Sequence, residues 1–97
     1  MRTVTRWRLY TEDTRHTLEA SNDLDKWIAI AFPAGATIFN AEGVWHGGNE
    51  MSICIEVLDM DGILDEHEMT LKARSLRDFN KQEAVMLTCD TVTASLI

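Results

Sequence analysis

A chain of 97 residues with 45% apolar content has room for one packed core and too little for a second, so a single domain over residues 1–97 is expected. Sixteen acidic against nine basic residues give a formal charge of −7, which argues against a broadly basic nucleic-acid surface and against an anionic membrane partner. No apolar run approaches the roughly 20 residues of a membrane span, and the start Met1–Arg8 lacks an apolar signal core, so the expected location is cytoplasmic.

Val4 to Tyr10 alternates in strand fashion, with Trp7 and Leu9 on one side and Arg6 and Arg8 on the other. A polar connection follows over residues 11–20. Asn22 then reads as a helix cap with Asp25 three residues on, and Leu24, Trp27, Ile28 and Ala31 form one apolar stripe before Pro33 stops the helix. Thr37 to Trp45 reads as a second strand. His46-Gly47-Gly48-Asn49 reads as a hairpin turn, and Glu50 to Leu58 is the strongest strand, with Met51, Ile53, Ile55 and Val57 on one face. After the turn Asp59–Gly62, Asp65 can cap a second helix with Glu68 three residues later. Met69, Ala73 and Leu76 give that helix its stripe, and Asn80-Lys81-Gln82 ends it. Ala84 to Asp90 is a fourth strand. The uncharged segment Thr91–Ile97 either prolongs it or pairs with a neighbouring subunit.

The order β-α-β-β-α-β is the signature of the ferredoxin-like α+β sandwich, a four-stranded antiparallel sheet with two helices on one face. The helices are then expected to cover Trp7, Leu9, Phe39, Ile53, Ile55, Val57, Val85 and Leu87. The bare face is expected to carry Arg6, Arg8, Asn40, Glu42, Ser52, Cys54, Glu56, Met86, Thr88 and Asp90. On that face an arginine beside Glu56 serves as an ordinary cross-strand ion pair. Alternatively, Arg6 and Arg8 are held ready to fork onto a carboxylate or phosphate. Tyr10 is the one aromatic residue expected there, so stacking platforms for RNA are lacking.

The most specific local feature is the turn Trp45-His46-Gly47-Gly48-Asn49. The glycines can simply serve the turn while Trp45 caps the core edge. The sharper reading is a ligand site, because glycines let backbone amides approach, an indole stacks on a planar group, and an imidazole donates or accepts near neutral pH. Neither phosphate-loop pattern is present. No nucleophile–base pair stands out, so no catalytic residue is assigned. Cys54 and Cys89 have no zinc-ligand spacing and read as reduced core or sheet residues. The acids Asp59, Asp61, Asp65, Glu66 and Glu68 do not follow the calcium-loop spacing and read as turn and helix-start chemistry. No metal or cofactor is therefore expected.

Three stretches, Glu42-Gly43-Val44-Trp45-His46-Gly47, Asn49–Glu56 and Asn80–Leu87, resemble small ferredoxin-like proteins of phages and mobile elements across residues 37–90. The element order is also similar to PII-type signalling proteins, whose resemblance implies trimers that bind nucleotides between subunits. This chain lacks their long loop between the second and third strands and their basic phosphate contacts. The first functional reading is a non-enzymatic homo-oligomer that binds a small molecule or nucleotide, in a phage context a sponge for a signalling nucleotide. Its candidate site is Arg6, Arg8, Trp45, His46, Gly47, Gly48, Asn49 and Glu56. The alternative is an acidic inhibitor that mimics nucleic-acid charge on a host protein, as anti-CRISPR proteins do. A small cofactor-free enzyme is the third reading. None of these needs direct contact with nucleic acid or membrane.

Overall fold

The computed structural model describes residues 1–45 and 47–97; His46 and the side chain of Trp45 lie outside the described residues. Six elements follow one another: β1 (Arg2–Glu12), α1 (Leu18–Ala31), β2 (Thr37–Trp45), β3 (Gly48–Asp59), α2 (Glu66–Phe79) and β4 (Met86–Ala94). The strands form one antiparallel sheet in the order β2-β3-β1-β4, and both helices pack on the same side of it. This is the ferredoxin-like α+β fold.

Alternation decides which residues the helices cover. Trp7 and Leu9 of β1 and Ile53, Ile55 and Val57 of β3 are buried against Leu24 and Ile28 of α1 and Met69, Ala73 and Leu76 of α2. Val85 and Leu87 pack at the margin of this core, as expected. Phe39 does not. Ile38 stands opposite Ile55 and packs on the core, whereas Phe39 stands opposite Cys54 on the bare face and is 45% exposed. A shift of one residue exchanges the faces of a strand. It therefore also moves Asn40 and Glu42 off the bare face, where Thr37, Phe39, Ala41 and Gly43 now lie.

The second departure is at the start of α1. The cap is Thr17, whose hydroxyl accepts from the Ala20 amide at 3.0 Å, so Asn22 lies inside the helix. α2 starts as expected, with the Asp65 carboxylate accepting from the Glu68 amide at 2.8 Å. A cap satisfies an amide that the first helical turn otherwise leaves unpaired. Asp65→Ala and Thr17→Ala are each expected to cost about 1 kcal/mol, measured as a shift of the urea midpoint. Asn22→Ala is expected to cost little, because Asn22 holds no cap.

The hairpin is tighter than the four-residue turn expected. Trp45 pairs with Gly48, so Gly48 and Asn49 already belong to β3. Gly47 takes φ +77°, a conformation that side chains with a Cβ rarely adopt. Beyond α2, Lys81 takes φ +54° and turns the chain into the approach to β4. β4 runs on to Ala94, which places part of the uncharged segment in the sheet.

Candidate functional site

The bare face is organised in cross-strand rows. One row runs Thr37, Glu56, Arg8, Thr88, and a second runs Phe39, Cys54, Tyr10, Met86. A third joins Leu58, Arg6 and Asp90. The Arg6 Nε donates to Asp90 Oδ1 at 2.9 Å, and its Nη2 reaches the other carboxylate oxygen. The Arg8 Nε donates to Glu56 Oε2 at 2.8 Å. Both guanidinium groups are thus already matched by carboxylates. The bond to Arg6 holds the Asp90 carboxyl below its ordinary range, and Arg15 does the same to Asp13.

These depressed values have a sign for stability. A carboxylate favoured in the folded state contributes fully above its unfolded value near 3.8, and that contribution fades as pH falls through the lower folded value. Urea titrations from pH 6 down to about pH 2 are expected to show falling stability across this range. Asp90→Asn is expected to flatten part of that fall.

Cys54 lies in the middle of the bare face, yet it is 5% exposed. Burial pushes its thiol up, against a hydrogen bond with Tyr10 that pulls it down. A thiol held neutral in this way is a packing group and a poor nucleophile. Cys89 is exposed, and both cysteines are free.

The concave feature lies at one end of this face. A cavity of about 620 Å³ opens where the β2–β3 hairpin projects past the end of β1. Tyr10 and Glu12 form its floor; Ala41, Glu42, Gly43, Glu50 and Ser52 form the hairpin wall. Lys81, Glu83 and Met86 form the opposite wall. That wall is pinned to β1. The Asn80 Nδ2 donates to the buried Thr11 Oγ1 at 2.9 Å, Thr11 also bonds Gln82, and the Gln82 Nε2 donates to Glu12 at 3.2 Å. Among the described residues, three glutamates on the bare-face side, Glu12, Glu50 and Glu83, therefore stand with one lysine, Lys81, around the cavity, while Glu42 lines it from the opposite face of β2. Such a site attracts a cation and repels a phosphate. Tyr10 is its aromatic residue and can lie against a planar ring.

A second cleft, of about 470 Å³, lies between the helices and includes Trp27, Ile30, Leu71 and Lys72. The Lys72 ammonium there is used at 2.8 Å by the Ala31 carbonyl at the end of α1, which makes it a helix cap. Among the described residues no group of three or more His, Cys, Asp or Glu is placed to hold a metal ion. Among the described residues no helix is long and apolar enough to cross a membrane.

The sequence-derived candidates are distributed over two places. Arg6, Arg8 and Glu56 share the bare sheet face, while Gly47, Gly48 and Asn49 are exposed at the hairpin tip. His46 and the Trp45 side chain lie outside the described residues. The cavity lies between these two groups, and its residues Tyr10, Glu12, Glu50, Lys81 and Glu83 were not singled out as a site. The acidic run is also divided. Asp59 is buried and accepts from the Ile63 and Leu64 amides at 3.1 and 2.9 Å, and Asp65 caps α2, so both serve the chain itself. Asp61, Glu66 and Glu68 remain exposed.

No family model and no curated protein sequence matches the chain. Solved structures do share its fold. A phage SAM lyase in its apo state is similar with a TM-score of 0.60 and 22% identity, covering 98% of this chain and 93% of the lyase. CPII, a nitrogen regulatory PII-like protein from Thiomonas intermedia K12 bound to ADP, AMP and bicarbonate, is similar with a TM-score of 0.59 and 12% identity, covering 99% of this chain and 98% of that one.

Proposed function

We propose that the chain is a phage-type, homo-oligomeric protein that binds a small adenosine-bearing cation, with S-adenosylmethionine the first candidate, and withdraws it from host enzymes. The observation that carries this reading is the charge of the cavity, three glutamates against one lysine beside an aromatic floor. The two similar folds support the adenosine part, since one protein is a SAM lyase and the other holds ADP and AMP. The cavity charge supports the cationic part. S-adenosylmethionine carries a sulfonium and an ammonium, whereas ADP and AMP bring phosphates against the glutamates. A signalling nucleotide, the ligand first expected, gains little from Arg6 and Arg8 while Asp90 and Glu56 hold them.

A second reading, turnover of the bound ligand, is favoured by the near full-length similarity to the SAM lyase. Attack of the ligand's own carboxylate on its γ-carbon would form the C–O bond of a lactone as the C–S bond breaks and the electron pair leaves on sulfur, giving a neutral thioether. Such a step uses a nucleophile carried by the ligand and needs no protonation of the leaving group.

Calorimetry with S-adenosylmethionine, S-adenosylhomocysteine, ADP and AMP tests the binding reading, and chromatography of the same mixtures tests turnover. The expected order places S-adenosylmethionine tightest. Absence of its binding, or tighter binding of ADP, sinks the proposal. Time-dependent loss of S-adenosylmethionine establishes the second reading over simple sequestration.

A further inference from the structure

β4 is the outermost strand beside β1, so one edge of its backbone faces no other strand of the sheet. Soluble proteins protect such edges with lysine, proline, bulges or very short strands. Met86–Ala94 is nine residues long and contains neither lysine nor proline. Its single charge, Asp90, is held by Arg6. Cys89, Thr91 and Thr93 are exposed along it, small or β-branched residues that pair well between strands. Residues 91–97 carry no charge, and Leu96 and Ile97 are fully open to solvent. The opposite edge differs. β2 carries the exposed Glu42, and its Asn40 accepts a hydrogen bond from Arg15.

We infer that the free edge of β4, continued by Ser95–Ile97, is the surface through which the chain pairs with a second copy of itself. Charge selects this occupant. Copies of net charge −7 repel one another over most of their surface, and this edge is a stretch where two can meet without opposed free carboxylates. The unpaired backbone of β4 supplies the hydrogen bonds, and Leu96 and Ile97 supply apolar surface to bury. A basic partner finds no free acid here, because Asp90 is neutralised. The inference deepens the oligomeric part of the reading above and is independent of which ligand the cavity takes.

Native mass spectrometry of the full chain, beside the T91K/T93K variant, tests it. The expected result is a multimer for the unaltered chain and a monomer for the variant, with the same far-ultraviolet circular dichroism. Hydrogen exchange on the unaltered chain gives a second measurement, independent of whether the variant folds. Amides of residues 86–94 are expected to exchange more slowly in concentrated than in dilute solution. A monomer at the highest soluble concentration overturns the inference. So does a multimer that T91K/T93K leaves intact, or one whose β4 amides exchange at the same rate at every concentration. Failure of S-adenosylmethionine to bind leaves these results unaffected.

Discussion

Ile55→Ala is expected to lower the unfolding free energy by about 2–5 kcal/mol, a large part of the roughly 5–15 kcal/mol typical of a domain this size. Ile55 is fully buried in an interior strand, between Leu9 of β1 and Ile38 of β2. Truncation removes its transfer free energy and leaves a cavity that strands on both sides cannot close. Urea unfolding gives the magnitude through the midpoint at constant slope. Phe39→Ala is the control, since Phe39 is a larger side chain on the solvated face. Its cost is expected to be well below that of Ile55→Ala. A greater loss for Phe39 contradicts the register of β2.

Charge reversal in the cavity should have the largest functional effect. Glu50→Lys combined with Glu83→Lys turns three carboxylates and one ammonium into one and three. At separations of several ångströms in a partly solvated site, each reversal changes the energy of a bound cation by about 1–2 kcal/mol, so affinity for S-adenosylmethionine should drop by at least roughly tenfold. Binding of ADP should strengthen in the same variant. Calorimetry reads both directions, and parallel weakening of the two ligands would point to damaged shape and away from electrostatic selection. Both positions are away from the buried core, so thermal unfolding should change little.

The elements were legible where one signal dominated. The alternation of Ile53, Ile55 and Val57 fixes β3, and Asp65 with Glu68 three residues on fixes the start of α2. β2 was not legible to the residue, because Ile38 and Phe39 are adjacent apolar residues and alternation alone cannot choose between them. The pairing of Trp45 with Gly48 makes that choice. The start of α1 was obscured by a first turn with no buried residue, its Leu18 being 79% exposed, so no apolar stripe marks it. The cavity was the least legible part. Its glutamates come from β1, β3 and the approach to β4, and the pinning of residues 80–82 to β1 brings them together.

The position of β1 inside the sheet has a consequence in time. Its two neighbours, β3 and β4, come from distant parts of the chain, and the bond between Arg6 and Asp90 spans 84 positions. As the chain is synthesised, both helices and the β2–β3 hairpin are complete before residues 86–94 exist to cover the outer edge of β1. Contacts between such distant segments close slowly, and until they do an apolar strand holding Val4, Trp7 and Leu9 waits half-paired. Pairing of β4 with β1 is therefore expected to be a late step, and until it occurs the outer edge of β1 is the part of the sheet open to chaperones or to other nascent chains.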